Sequence, residues 1–290
     1  MSDERILSKQ GLVLDLKPKY LDWETLKFSG TINAEKGGWN SSTHYLSALE
    51  SMVNWEKGIF KIITTNTTVP QREYEFFPGR SNTDETRIND SNVDGENAFE
   101  RAIYNTYGMR TNKKLLKVGE SDYKIITYQL PLVPKDGAAF KNIDLLAYEV
   151  ASKHITIMEL KKDRNTGDSP LFAIFESMVY FKVLHNNWKL FKKPLTERLI
   201  DYGLALPEDT PKYKILIMAP LDYWKHWGIL KNDGVSDSGN MLKELANRIA
   251  SDNELIIEFV STKNNPVFCA SNLSDRKLYR LNDDVSFSQL

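Results

Sequence analysis

The sequence predicts an α/β fold built on a mixed sheet, and three observations carry that reading. Runs of β-branched and apolar residues recur at 124–130, 143–150, 154–160, 214–219 and 254–261. Segments with apolar residues at helical spacing stand at 98–107, 171–184 and 240–250. Only Ala151-Ser152-Lys153 joins the runs at 143–150 and 154–160. That is too short for a crossover helix, so those two strands pair as an antiparallel hairpin.

Residues 42–55 place Leu46, Leu49, Met52 and Val53 at helical spacing, and strand-like segments follow at 59–65 and 72–77. Region 1–90 therefore reads as a small α+β unit. The polar, acidic stretch SNTDETRINDSNVDGEN is an exposed connection and sets a boundary, leaving 91–290 as the second domain. The helix at 98–107 carries Phe99, Ala102, Ile103 and Thr106 on one face, with Gly108 as its stop. The helix at 171–184 starts at Pro170 behind Asp168 or Ser169 as cap, and it is apolar nearly all round, which predicts burial against the sheet. From Glu96 the order is helix, three strands, helix, strand, helix, strand.

A chain of 290 residues with 41% hydrophobic residues is long enough to bury a sizeable core. The single cysteine, Cys269, excludes a disulfide framework, and His44, His154, His185 and His226 have no ligand spacing, so no zinc site is expected. The start MSDERILSKQ has no apolar signal region, and no run approaches the about 18 apolar residues of a membrane span. The expectation is a cytoplasmic protein without a membrane partner. A net charge of −1 gives no global pull on nucleic acid, so phosphate contacts would fall to Lys113-Lys114-Leu115-Leu116-Lys117, Lys161-Lys162 and the run from Lys189 to Lys193.

The hairpin carries the chemistry. If Val150 or Glu149 faces His154, Asp144 and Glu159 stand opposite or nearly so, and Lys161 shares the face of Glu159. Two close carboxylates among Ile143, Leu145, Leu146, Ile157 and Met158 repel each other, a cost that a hard divalent cation relieves. On geometry alone, a cross-strand salt bridge between Lys161 and the acids accounts for the pattern equally well.

Asp144 followed by Glu159-Leu160-Lys161, in FKNIDLLAYEVASKHITIMELKK, resembles the PD-(D/E)XK nuclease superfamily. The resemblance covers about residues 96 to 220 and implies a restriction-endonuclease-like αβββαβ core with the N-terminal α+β region added. It implies a nuclease that uses Mg²⁺, with Mn²⁺ as substitute, held by Asp144, Glu159, the carbonyl of Leu160 and an acid of the first helix. Glu96 or Glu100 supplies that acid, Glu96 matching the family pattern more closely. The alternative is that Glu96 merely complements the helix dipole. Lys161 would position the attacking water, with Lys162 beside it. In many relatives the second helix carries glutamine and then tyrosine; here Glu176 and Tyr180 hold those places, four residues apart and so on one face. Glu176 departs from the pattern: it adds to the metal site, bonds as a neutral acid or pairs with Lys182 or another base. Ile143 replaces the family's proline.

The activity implied is cleavage of nucleic acid, DNA before RNA, most naturally by an endonuclease of restriction or anti-phage defence, with a homodimer as the form in which double-strand cutters pair two sites. Two other readings compete: an inactive nucleic-acid-binding or scaffolding protein of the same fold, and a hydrolase of small phosphoesters. Trp39, Tyr45, Trp55, Tyr74, Phe76 and Phe77 near Lys57, Lys61 and Arg72 are candidates for a polymer groove, though such spacing is commoner in a core. Tyr223-Trp224-Lys225-His226-Trp227 reads as packing.

Overall fold

Apolar residues on both faces of one sheet decide the architecture. The computed structural model describes residues 5–7, 13–15, 49–50, 53, 87–88, 96–108, 113–131, 142–161, 169–206, 211–262, 268–273, 276–282 and 284–290. Its central strands are β4 (Leu116–Val118), β5 (Ser121–Pro131), β6 (Asn142–Glu149), β7 (Ile155–Leu160), β8 (Tyr213–Ala219), β11 (Ile256–Thr262) and β14 (Phe287–Gln289). Leu145, Ala147, Met158, Leu160, Leu216, Met218 and Val260 face one apolar cluster. Their alternates Leu146, Tyr148, Ile155, Ile157, Ile215, Ile217, Ile257 and Phe259 face another. A strand buried on both sides reads as a continuous apolar run, which is why KILIMA shows no alternation.

Helix α1 (Glu96–Ile103) sets Ala98, Phe99, Ala102 and Ile103 into the first cluster and runs into a wider π turn, Tyr104–Gly108. Helices α2 (Pro170–Asn186), α3 (Trp188–Ile200), α4 (Leu221–His226) and α5 (Asp237–Asp252) pack on the second. Of the two expected caps, Ser169 makes the bond at the start of α2, its Oγ accepting from the Phe172 amide at 3.1 Å. Trp224 ties α4 to the sheet, its indole N–H shared between the carbonyls of Ala219 (3.1 Å) and Val260 (3.0 Å). The aromatic segment at 223–227 is thus packing, as expected.

The open αβββαβ sheet is not what forms. The elements expected from Glu96 onward occur in order, but the sheet closes into a seven-stranded barrel, β11-β14-β4-β5-β6-β7-β8. β14 lies antiparallel to β11 and meets β4 in parallel at Phe287 and Val118; β4 is antiparallel to β5. The closing strands have three residues each, too short to show a period, and they come from distant parts of the chain. The sequence also gave no sign of α3, which carries Pro194 inside it. Proline is a local argument against a helix interior, and here tertiary packing of Phe191, Leu195 and Leu199 overrides it.

A small antiparallel sheet, β12 (Phe268–Leu273), β13 (Arg276–Leu281) and β3 (Arg87–Ile88), carries Arg87 and Ile88 across the expected boundary to pair with Leu278 and Lys277. Two short hairpins complete the described strands: β1 (Arg5–Leu7) with β2 (Val13–Asp15), and β9 (Leu230–Lys231) with β10 (Gly234–Val235). The strands expected at 59–65 and 72–77, and the aromatic and basic residues from Trp39 to Phe77, lie outside the described residues. Among the described residues no helix is long and apolar enough to cross a membrane.

The β6–β7 hairpin is fastened at its turn by a buried charge network. Glu149 accepts from the Lys214 ammonium (2.9 Å) and the Tyr123 hydroxyl (3.1 Å), lies 3.0 Å from Nδ1 of His154 and accepts from Ser152. Burial alone would raise this carboxyl, but those bonds outweigh it and hold it at about 2.

Barrel closure depends on Phe287, buried among the first cluster. Phe287→Ala is expected to cost about 3 kcal/mol by urea unfolding; a loss below about 1 kcal/mol would mean that the β4–β14 contact closes nothing.

Candidate active site

Three neighbouring strands line up the acidic residues. In the β6–β7 ladder Leu145 opposes Met158, and the next step places Asp144 beside Glu159. In the β5–β6 ladder Tyr128 opposes Leu145 and Leu130 opposes Ile143, so Gln129 stands across from Asp144. The residue Asp144 keeps some exposed surface although its carboxyl is enclosed, and its Oδ2 accepts from the Leu160 amide at 2.8 Å, a side chain taking a backbone donor just beyond the paired residues of the ladder. On the other side Glu159 and Leu160 pair in parallel with Ile217 and Met218, which fixes the strand that carries both acid and lysine.

Lys161 follows with its amide on the Met218 carbonyl (2.9 Å) and its ammonium against Glu159 Oε1 at 2.6 Å. Helix α2 brings Glu176 to the same ammonium at 3.5 Å, and the Tyr180 hydroxyl, one turn on, donates to Glu176 Oε1 at 2.8 Å. Lys161 is 1% exposed, Glu159 and Tyr180 2%, and Glu176 7%. Of the roles open to Glu176, pairing with a base is the one seen, and the base is Lys161.

From α1, Glu100 is 2% exposed and accepts from the Gln129 amide at 3.2 Å, while Glu96, in the first turn, is partly exposed. Both repel Asp144, Glu100 more strongly. The helix face buried through Phe99 and Ile103 thus turns Glu100 inward and leaves Glu96 behind it. Lys162 lies outside the described residues. The basic residues Lys113, Lys114 and Lys117, and Lys189 and Lys193 on α3, are exposed. Gln129 escaped the sequence reading: a polar residue inside a strand pattern carries no mark of function, and a bulge between Ile125 and Thr127 shifts the period that would have placed it.

The electrostatics follow from enclosing like charges. Burial, then repulsion by Glu100 and Glu96, holds the Asp144 carboxyl well above the carboxylate range against the pull of Lys161 and the Leu160 amide. Burial and Asp144 do the same to Glu159. Burial pushes Glu100 up to about 8, with the Gln129 amide opposing it. Burial and the neighbouring Glu176 keep Tyr180 a phenol, so it donates.

Among the described residues, no three His, Cys, Asp or Glu side chains are already arranged as a metal-ligating group. A hard cation nonetheless fits what is present. Glu159 Oε2 and Glu100 Oε1 are buried without a hydrogen-bond partner, and both are carboxylate oxygens of the kind such a cation takes. Mg²⁺ needs only one or two protein carboxylates beside water and substrate oxygens. Compared with known proteins, no family model, curated protein or solved structure matches the chain.

Carboxyls raised in the fold keep protons that the unfolded chain releases above about 4.5, so stability should fall as pH rises toward about 8. Thermal melts of the metal-free protein from about pH 5 to pH 8.5 test this. A decline that is shallower in Glu100→Gln is expected; a flat profile would mean that these acids do not titrate as a buried cluster.

Proposed function

We propose that this chain is a metal-dependent phosphodiester hydrolase acting on nucleic acid, DNA in preference to RNA, with a site of the PD-(D/E)XK type set in a closed barrel. One observation carries the reading: Asp144, Glu159 and Glu100 are enclosed together beside one buried ammonium, and two of their oxygens have no bond. Enclosing carboxylates without a cation is costly, and the cost is supported where a divalent ion is to be bound.

Asp144, Glu159 and the Leu160 carbonyl would hold Mg²⁺, or Mn²⁺ in its place, with Glu100 as the helix acid and Glu96 behind it. When bound, the ion polarises the scissile phosphate and lowers the proton affinity of a water. The chain's own residues do the rest. The Leu160 amide fixes the Asp144 carboxylate at 2.8 Å. Lys161, held between Glu159 and Glu176, serves as a fixed positive charge for the phosphorane oxygens that develop negative charge, rather than as a base. Tyr180 keeps Glu176 turned to Lys161 through its hydroxyl bond. The apolar residues on either side, Met158 and Leu160 on one face and Ile157 on the other, keep bulk water from screening these charges.

Incubation with plasmid, linear duplex, single-stranded DNA and RNA, in Mg²⁺, Mn²⁺ or EDTA, tests the proposal. Cleavage that needs metal and falls by about 10²-fold or more in Asp144→Asn and Lys161→Ala, with far-UV spectra and melting retained, is the expected outcome. Full activity in either folded variant, or cleavage unaffected by EDTA, would overturn it. Within the same assay, Glu100→Gln should cost more activity than Glu96→Gln; the reverse order would return the helix acid to Glu96.

A further inference from the structure

One residue of the site holds an unfavourable backbone conformation. Gln129 lies within β5 at φ +46°, a left-handed conformation that side-chain-bearing residues avoid. Residues held this way in folded proteins gather at functional sites, where surrounding structure over-determines them. Four residues earlier, the register of β5 on β6 shifts by one between Ile125 and Thr127. Continuing the register of Ile125 and Ala147 would have set Tyr128 across from Asp144. The bulge instead sets Gln129 there and leaves Tyr128 packed on Tyr104, ring centroids 4.6 Å apart. Bulge, left-handed backbone and side chain then converge, because the Gln129 Nε2 donates to Glu100 Oε2 at 3.2 Å.

We propose that Gln129 is a positioning residue of this centre: the bulge and the left-handed backbone turn its amide onto Glu100, which holds that helix carboxylate toward Asp144 with Oε1 left to a metal. The inference rests on reading the acid cluster as a metal centre. An amide suits the task, since it donates to one carboxylate oxygen without neutralising the charge the cation requires. The same kink sends Tyr128 and Leu130, two residues apart, into different apolar clusters, so the side chain between them is aimed by the backbone turn rather than by strand alternation.

Two substitutions separate positioning from structure. Gln129→Gly takes the left-handed backbone at no steric cost, and Gln129→Asn tolerates it while falling one methylene short of Glu100. Both should fold with a melting temperature equal to or above that of the parent. Mn²⁺ affinity, measured by calorimetry on the intact protein, should weaken about 10- to 100-fold, with kcat falling by a similar factor and KM for duplex DNA nearly unchanged. Parental Mn²⁺ affinity in both variants would overturn the proposal, and so would affinity lost only in step with melting temperature. If the parent binds Mn²⁺ but cleaves none of the nucleic acids, the nuclease reading fails while the calorimetric comparison still decides the role of Gln129. If the parent binds no Mn²⁺, the metal centre and this inference fall together.

Discussion

Enclosing several carboxylates around a single ammonium is the constraint to which this barrel is built. Asp144 and Glu159 come from adjacent strands, Glu100 and Glu176 from helices on opposite faces of the sheet, and Lys161 sets a buried counter-charge in bonding contact with Glu159 and Glu176. Two apolar clusters wall the group in, one reached by α1 and one by α2. A sheet buried on one face could not do this, because water on the open side would screen the acids and relieve their repulsion. The double burial that leaves β7 and β8 buried along their whole length is therefore what gives the site its electrostatic character.

Precision comes from strand pairing. Side chains alternate with a period of two, so a slip of one residue between β6 and β7 would send Asp144 to the face away from Glu159. The short turn at Ala151-Ser152-Lys153 and the bonds gathered on Glu149 hold the register at one end of the hairpin. The acids stand at the other, where the Asp144 side chain takes the Leu160 amide. The network at the turn and the cluster at the far end act on the same two strands but differ in kind. Glu149 is saturated with donors and held low, whereas Asp144 and Glu159 are short of them and held high. Satisfied charge there ties the turn of the hairpin, and unsatisfied charge here leaves the acids in mutual repulsion.

The parts of the site legible in the sequence are those set by local rules. The hairpin follows from two apolar runs and a three-residue link, and its register puts Asp144 by Glu159 with Lys161 on the same side. Glu176 and Tyr180 share a face because they are four apart, and they do bond each other. Choosing between Glu96 and Glu100 was beyond such rules, since both lie within a turn of Phe99; the answer depends on how α1 is rolled against the barrel. Gln129 was hidden by a bulge, and α3 by Pro194.

By itself, then, the sequence determined the strands and helices long enough to show a period, the hairpin between β6 and β7, and the acid, acid and lysine it carries. Only the tertiary structure decided that the sheet closes, that Glu100 repels Asp144 more strongly than Glu96 does, that Glu176 turns to Lys161, and that Gln129 reaches the cluster. The physical reason is range. Periodicity and turn length act over a few residues, while closure joins three-residue strands at Leu116–Val118 and Phe287–Gln289, whose pairing is worth forming only once both apolar clusters have brought them together.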